Sequence, residues 1–171
     1  MLWLFTDARR LPDPLPAIAR LPRGLCGVVF RHDGAPDRAA LAKKIARLCR
    51  ARRLALVVAG DARLAASLGA GVHLRGGRRM LIKGRGLITS SAHGVAQMHR
   101  AKAACADIIF LSPAFATTSH EKLPGHGAAR WNKLARAGRA SNVYALGGIS
   151  GRTILSLTGM ARGAAAISAF Q

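Results

Sequence analysis

The sequence predicts a compact α/β barrel of the TIM type, a (βα)8 fold in which eight parallel strands alternate with helices. Eight short apolar segments recur along the 171 residues, and segments with helical periodicity separate most of them. Residues 108–111, with the sequence Ile-Ile-Phe-Leu, show no alternation of apolar and polar side chains. Such a run is typical of a strand that is buried on both faces of a parallel sheet.

Barrels of this kind usually have about 250 residues, so the length of the chain predicts shortened or missing helices. Pro12, Pro14 and Pro16 restrict the first helix to a short piece, because proline is tolerated only in the first turn of a helix. The fourth helix is expected to be nearly absent, since residues 75–83 are rich in glycine and charge, and no helix is predicted after the eighth strand. We expect residues 1–171 to form a single domain with an open groove in its outer ring, a surface that a homodimer would cover.

Three pairs of strand and helix are predicted in the first part of the chain. The strands are short apolar runs at residues 2–6, 25–30 and 54–58. The helices that follow them lie at residues 15–21, 37–52 and 62–68. In the second of these helices Leu41, Ile45 and Leu48 recur at helical spacing, with cationic residues between them. Asp61 has a side chain suited to the N-cap of the third helix.

The alternation continues through the rest of the chain. The remaining strands are predicted at residues 71–74, 86–89, 108–111, 142–146 and 163–169. Helices are predicted at residues 92–104 and 129–137, and Ser150 is expected to cap a short helix that ends at residue 157. Ser90 or Ser91 is a candidate cap for the helix that begins near residue 92.

The charge is the most unusual feature of the composition. The chain has 27 Lys and Arg against 7 Asp and Glu, a formal net charge of +20, which favours polyanionic partners such as phosphorylated metabolites or nucleic acid. Arginine and alanine are abundant throughout, so a general preference for these residues is a competing interpretation. The tightest basic cluster has no interleaved aromatic residues on which bases would stack, which argues against nucleic acid. Its members are Arg75, Arg78, Arg79, Lys83 and Arg85.

Two further features limit the class of protein. No apolar run reaches membrane-spanning length, and residues 2–5 are too short for the core of a signal peptide, so we expect a cytoplasmic protein. Cys26, Cys49 and Cys105 lack the spacing of metal ligands and fall in apolar segments, which predicts buried free thiols.

Polar residues follow several predicted strands, at the edge of the sheet where parallel barrels bind their ligands. Gly147 and Gly148 allow a phosphate to approach backbone N–H groups, and Ser168 ends the eighth strand, so we expect a phosphate site here. A glycine turn next to a core serine is the alternative interpretation. Arg31 ends the second strand and has the guanidinium fork that binds phosphate, although it is also one of many surface arginines.

Histidines at other strand ends are candidates for proton transfer. His120 lies in the polar loop after the sixth strand, which either presents an imidazole as a general acid or base or leaves it solvated. Ser91 and His93 follow the fifth strand. His73 ends the fourth strand, where a packed histidine is as good an interpretation as a working one.

Taken in order, these motifs resemble the thiamine phosphate synthases and the related thiazole tautomerases, over nearly the whole chain. The strand-six segment and the Gly-Gly-Ile turn are the most specific parts of the resemblance. The matching segments are LFTD at residues 4–7, VVFR at 28–31, DARLAASLGAGVHL at 61–74, the Ser-x-His of Ser91 and His93, ADIIFLSPAF at 106–115 followed by Thr117, LGGI at 146–149, and AISAF at 166–170.

The resemblance implies a βα barrel that joins a pyrimidine pyrophosphate to a thiazole phosphate, with magnesium helping pyrophosphate to leave. It implies that Arg31 contacts pyrophosphate, that Ser91 lies near the reacting pyrimidine, and that His120 takes the place of a lysine on the pyrophosphate. The positions at the strand ends and the resemblance together give two sets of candidate site residues in this chain. The catalytic set is Ser91, His93 and His120, and the substrate-binding or phosphate-binding set is Arg31, His73, Thr117, Gly147, Gly148, Ile167 and Ser168.

The chain departs from the synthases at the metal site. The synthases place an Asn-Asp pair after strand three and another Asp after the His-Leu of strand four, both near the metal. Here Ala59 and Gly60 follow strand three, Arg78 stands in the second region, and Asp61 is left as the candidate magnesium ligand. One hypothesis is that positioned arginines neutralise the leaving pyrophosphate instead.

Synthase-type transfer in thiamine biosynthesis is the leading functional prediction, with a phosphorylated small molecule as the substrate. The first alternative is a metal-independent thiazole phosphate tautomerase that uses His120 or His93, because Pro113 stands where the tautomerases have a histidine after strand six. The second alternative belongs to another class, a non-catalytic protein that binds a phosphate ligand or nucleic acid.

Overall fold

The structure, a computed structural model, describes residues 1–76, 86–117, 125–139, 142–157 and 159–167. Parallel strands β1 to β8 form a closed barrel, in which each strand pairs with the next along the chain and β8 pairs with β1. The strands are β1 (Leu2–Phe5), β2 (Cys26–Phe30), β3 (Ala55–Ala59), β4 (Gly71–Leu74), β5 (Ile88–Ala92), β6 (Ile108–Leu111), β7 (Val143–Leu146) and β8 (Gly163–Ala166). The predicted TIM-type barrel is confirmed.

Helices connect these strands on the outside of the barrel. They are α1 (Leu15–Arg20), α2 (Arg38–Ala51), α3 (Ala62–Leu68), α4 (Val95–Ala103) and α5 (Gly127–Ala137), with a short 3₁₀ helix at Ile154–Ser156 before β8. The short first helix is confirmed, because α1 has only six residues with a proline in its first turn. The predictions of a missing fourth and last helix fall on residues 77–85 and 168–171, outside the described residues.

The fifth strand differs from its prediction. It runs over Ile88–Ala92 rather than residues 86–89, because Thr89 and Ser91 are polar residues that hydrogen-bond inside the barrel and so hide the apolar pattern. Ser90 and Ser91 therefore lie in the strand and do not cap the following helix. That prediction is wrong, since α4 begins after Gly94, which has no capping side chain.

Aromatic side chains fill the inside of the barrel. Phe110 lies at their centre, with its ring centroid 4.9 Å from that of Phe5, 5.6 Å from Trp3 and 5.9 Å from Tyr144. Gly27 makes this packing possible, because a Cβ atom at this position would lie 2.5 Å from the ring of Trp3. A filled interior leaves the ends of the strands as the place for ligands.

The cysteines only partly match the prediction. Cys26 and Cys49 are buried free thiols, and burial raises the pKa of Cys49 to about 12. Cys105 is exposed, so that prediction is wrong. The reason is that α4 ends at Ala103, which leaves Cys105 in the following turn with a left-handed φ of 54°.

The outer surface near β1 and β8 carries an apolar groove of about 230 Å³, lined by Leu2, Ile149 and Ile154 among others. Leu155, next to it, is 74% exposed. The homodimer expected from the sequence stays a prediction. Among the helices that the structure describes, none has the length and apolar character needed to cross a membrane.

Candidate active site

Two cavities open side by side at the carboxyl ends of the strands. The smaller, of about 160 Å³, lies toward the loops after β7 and β8, and the larger, of about 410 Å³, lies toward the ends of β4 and β5. Two ligands bound in these cavities would lie next to each other, because the cavities have lining residues in common. The shared residues are Phe5, Asp7, Arg31, Ser112 and Leu146.

An ion pair forms part of this shared lining. The Arg31 guanidinium donates from Nη2 to Asp7 Oδ2 at 2.6 Å, and Asp7 Oδ1 also accepts the backbone N–H groups of Arg9 and Arg10. Burial raises the pKa of Asp7, but Arg31 and the two N–H donors outweigh it and hold that pKa below its usual value. An ionised Asp7 therefore orients Arg31 between the two cavities.

A buried polar cluster fixes the backbone of Arg31. The Thr6 hydroxyl accepts the Arg31 N–H at 2.9 Å and lies 2.9 Å from Nδ1 of His32. Nε2 of His32 lies 3.3 Å from the carbonyl oxygen of Pro12. Since a carbonyl only accepts, Nε2 of His32 carries a proton and donates to Pro12. His32 also stacks on the ring of Phe30, with centroids 5.5 Å apart. Sequence reasoning did not single out His32 or Thr6.

His73 forms the floor of the larger cavity. Its Nδ1 lies 2.8 Å from the Thr89 hydroxyl and its Nε2 lies 2.8 Å from the Ser91 hydroxyl. Burial, together with the positive charges of Arg31 and Arg75, lowers the pKa of His73 to about 3. The imidazole is therefore neutral at pH 7, and both of its ring nitrogens are engaged by hydroxyl groups.

His93 and Ser112 lie at the rim of the same cavity. Nδ1 of His93 is 3.0 Å from the carbonyl oxygen of Ser112, so it carries a proton and donates there. The backbone N–H of His93 donates to Gln97 Oε1 at 2.7 Å, which fixes the start of the turn into α4. His126, at the start of α5, lies close by, and burial is the main cause that lowers its pKa. Sequence reasoning missed His126, because no motif marks it.

The glycine turn after β7 packs against the loop after β6. Gly147 and Gly148 have left-handed φ values of 93° and 63°. A Cβ atom on Gly148 would lie 2.7 Å from Cβ of Phe115, so the turn requires glycine at this position. The backbone of this turn lines the smaller cavity together with Thr117 and Ile167, as the sequence predicted for a phosphate site. The roles of these residues stay predictions.

Two predicted site residues cannot be placed. His120 and Ser168 lie outside the described residues, as do Arg78, Arg79, Lys83 and Arg85 of the basic cluster. Arg75 is the described member of that cluster, and it pairs with Asp33 at the rim of the larger cavity.

The carboxylates near the larger cavity do not fit a magnesium ion. Asp61 Oδ1 accepts the Leu64 N–H at 2.9 Å, which confirms the predicted N-cap, and Oδ2 pairs with Arg38 at 3.0 Å. Asp33 pairs with Arg75 and lies 3.8 Å from Arg38. In the described part of the chain, no group of three or more His, Cys, Asp or Glu side chains is placed to hold a metal ion.

The fold is a TIM-type barrel with two cavities at the carboxyl ends of its strands, and cationic side chains line both cavities. Barrels of this class commonly bind phosphorylated small molecules at this edge. The family model described as thiamine monophosphate synthase matches residues 17–170, so the chain belongs to the thiamine monophosphate synthase family.

Known relatives agree with this assignment. The thiamine-phosphate synthase of Geobacillus kaustophilus is 33% identical over 151 residues, which cover 79% of this chain and 68% of that protein. Two solved structures share the fold. The thiamine phosphate pyrophosphorylase from Pyrococcus furiosus has a TM-score of 0.75 and 20% identity, and the match covers 98% of this chain and 85% of that chain. The thiamine phosphate pyrophosphorylase from Bacteroides thetaiotaomicron has a TM-score of 0.60 and 18% identity, and the match covers 98% of this chain and 81% of that chain.

The chain is thus a homologue of the thiamine-phosphate synthases, which are transferases that act on phosphorylated small molecules. The family and the enzyme class expected from the sequence motifs are confirmed. The family is commonly magnesium-dependent, and in this chain Asp33 and Asp61 are paired with arginines.

Proposed function

We propose that this chain joins a pyrimidine pyrophosphate to a thiazole phosphate and releases pyrophosphate. The observation that carries the proposal is the pair of adjoining cavities that share the Asp7 and Arg31 side chains. A transfer between two substrates needs both of them in contact, and two cavities with a common lining provide that arrangement. A cytoplasmic location is part of the same proposal and rests on the biosynthetic class of the family.

The smaller cavity is the proposed site of the thiazole phosphate. Backbone atoms of Gly147 and Gly148 line it, and their lack of side chains lets a phosphate approach N–H groups closely. Arg10 and Arg31 add two cationic side chains to the same lining. Ile167 supplies an apolar wall from the residue after β8, where the thiazole ring would pack.

The larger cavity is the proposed site of the pyrimidine pyrophosphate. Arg31 and Arg75 line it and carry the charge that a pyrophosphate group requires, while Ser91 and His93 line it from the end of β5. During transfer, the bond from the pyrimidine's alkyl carbon to the pyrophosphate oxygen breaks and a bond to the thiazole forms. The oxygen keeps the electron pair, so cations already in place stabilise the charge that develops there.

The test is a direct assay of the condensation. Purified chain is incubated with both substrates, in EDTA and in magnesium, and thiamine phosphate and pyrophosphate are quantified in the same samples. We expect the two products in equal amounts, and a loss of rate of about a hundredfold in Arg31→Gln. Arg162→Gln is the matched control, since this exposed arginine precedes β8 at the opposite end of the barrel. The proposal fails if no product forms under any metal condition.

The position of His93 favours a second candidate function, metal-independent tautomerisation of a thiazole phosphate. Its ring lines the larger cavity and is held by a donor bond from Nδ1 to the carbonyl oxygen of Ser112, so a thiazole phosphate bound in that cavity instead would meet a fixed imidazole. The test is the tautomerisation rate of a variant in which His93 and His120 are both replaced by glutamine. A rate equal to that of the wild type would count decisively against this candidate.

A further inference from the structure

We infer that the larger cavity binds the diphosphate group of its ligand without a divalent metal, with the guanidinium of Arg75 in the place of the cation. The choice of a diphosphate as ligand rests on the proposed function. The inference itself rests on the position of Arg75, on the engagement of the nearby carboxylates, and on the charges that line the cavity.

Arg75 lies immediately after β4. Its guanidinium lies over Gly60, the residue after β3, since a Cβ atom on Gly60 would be 3.5 Å from Cζ, Nε and Nη2 of Arg75. The Gly60 N–H donates to the carbonyl oxygen of His73 at 3.1 Å, which holds the ends of the two strands together. A permanent positive charge therefore fills the space where carboxylates from β3 and β4 would have to converge on a metal.

The acidic side chains near Arg75 are already paired with arginines. Arg75, Asp33, Arg38 and Asp61 form a chain of alternating charge along the ends of β2, β3 and β4. Arg38 is further held by a bond from Nη2 to the carbonyl oxygen of Ala59 at 2.9 Å, and it lies over the ring of Phe30. A divalent cation placed at Asp33 or Asp61 would face a guanidinium already bound there, which disfavours it.

The side chains around the larger cavity carry more positive than negative charge. Arg9, Arg31 and Arg75 line it against the two carboxylates of Asp7 and Asp33, so the lining is net positive. Arg31 and Arg75 line this cavity together with His73, and the positive charges of both arginines lower the pKa of His73. Such a pair suits an elongated dianionic or trianionic group.

The carboxylates orient these guanidiniums rather than saturate them. Arg31 donates to Asp7 through Nη2, and Arg75 donates to Asp33 through Nη2. A guanidinium has five N–H donors in a fixed plane, so each arginine keeps donors for phosphate oxygens. When pyrophosphate departs with the electron pair of the broken carbon–oxygen bond, the two arginines meet the new charge and no proton or metal is required.

The experiment is a calorimetric titration of the full chain with inorganic pyrophosphate, in EDTA and again in magnesium. We expect binding in EDTA, with magnesium leaving the affinity unchanged or weakening it through competition for pyrophosphate in solution. Arg75→Gln should weaken binding at least tenfold, while Arg162→Gln should stay within twofold of the wild type. The inference is overturned if pyrophosphate binds only in magnesium, or if Arg75→Gln binds as the wild type does.

Asp33→Asn changes pyrophosphate affinity in opposite directions depending on whether Asp33 orients Arg75 or binds a metal ion. If Asp33 only orients and neutralises Arg75, its replacement should tighten pyrophosphate binding in EDTA, because a competing negative charge is removed. If Asp33 is a metal ligand, the same change should weaken binding in magnesium, which would overturn the inference. Thermal unfolding of each variant shows that it is folded before it is titrated, and Arg75→Lys provides a second, charge-conserving variant that should bind more tightly than Arg75→Gln.

The readout is binding, so its outcome is separate from that of the proposed function. Pyrophosphate binding in EDTA without any thiamine phosphate formation would leave the metal-free site standing and remove the proposed reaction. Product formation that requires magnesium, together with pyrophosphate binding that requires magnesium, would leave the proposed reaction standing and remove the metal-free site.

Discussion

Nε2 of His73 and the hydroxyl oxygen of Ser91 lie 2.8 Å apart, at the carboxyl ends of two paired strands of the barrel. The other ring nitrogen is held by Thr89, so the ring cannot turn without breaking a buried hydrogen bond. Phe5 packs edge-on against the same ring at 5.4 Å. Ser91 is therefore presented to the larger cavity by a rigid histidine.

Ser91→Ala is expected to lower the free energy of unfolding by about 1 kcal/mol, because it removes the partner of Nε2 on a buried ring. Urea unfolding monitored by circular dichroism measures this change. The control is Ser67→Ala on α3, whose exposed hydroxyl donates only to a carbonyl of its own helix. Its effect should stay within about 0.5 kcal/mol. Equal effects of the two substitutions would contradict the role given to Ser91.

The lowered pKa of His73 predicts a loss of stability in acid. In the folded chain this pKa is about 3, against an ordinary value of 6.5 for histidine, so between these values the unfolded chain binds a proton that the folded chain does not. Stability is unaffected by His73 above pH 6.5 and falls as the pH drops toward 3, by up to about 1.4 kcal/mol per pH unit. Measuring the free energy of unfolding at pH 4, 5 and 6 gives the change in stability per pH unit.

His73→Asn should lose this contribution, so its stability should depend less on pH across the same interval. Thr89→Val is the matched control, because it also removes a hydrogen bond of the buried cluster but keeps the imidazole. It should be less stable than the wild type with a similar slope. A slope in His73→Asn equal to that of the wild type would show that other groups account for the acid sensitivity.

Gly148→Ala is expected to disrupt the turn after β7. The new Cβ atom would lie 2.7 Å from Cβ of Phe115, at a residue whose φ is +63°. We expect a loss of roughly 1–3 kcal/mol in stability and a loss of thiazole phosphate binding by calorimetry. Gly151→Ala, in the same loop, meets nothing within 4 Å and should change neither property. Thiazole phosphate binding by Gly148→Ala with the affinity of the wild type would place the phosphate elsewhere.

Asp61→Ala tests whether this carboxylate is structural. It should cost about 1 kcal/mol of stability, because the α3 N-cap is lost and Arg38 loses a partner. Asp37→Ala is the control, since Asp37 occupies the N-cap position of α2 without a side-chain capping bond. For the wild type, the melting temperature in EDTA should equal that in magnesium, and the same should hold for Asp61→Ala at its own lower melting temperature. Stabilisation of the wild type alone by magnesium would instead make Asp61 a metal ligand.

The architecture was predictable because strands buried on both faces are marked by continuous apolar runs. Residues 26–30 and 108–111 show this directly, and both became strands with every side chain buried. The fifth strand was misplaced because Thr89 and Ser91 face a polar partner, His73, rather than an apolar one. A pattern of apolar residues carries no information about a polar cluster inside a barrel.

The location of the candidate site was predictable from the sequence, but the ion pairs within it were only partly so. Parallel strands place their ends at one edge, which brought Arg31, His73, Ser91 and Gly148 to the same two cavities. The Asp7–Arg31 pair was open to prediction, since opposite charges follow two neighbouring strands. The pairing of Asp61 was not, because Arg38 reaches it from 23 residues away and the same aspartate suits a helix cap or a metal.

The chain has two tryptophans, and they lie on opposite sides of the sheet. Trp3 is buried inside the barrel, where its indole N–H meets no acceptor among the described residues. Trp131 is a buried residue of α5, and its indole N–H donates to the carbonyl oxygen of Leu111 at 3.0 Å. Their fluorescence should therefore differ, with Trp3 emitting at the shorter wavelength. Each tryptophan is a separate fluorescent reporter. If the barrel interior loosens first, the emission of Trp3 should shift before that of Trp131 in the outer helices.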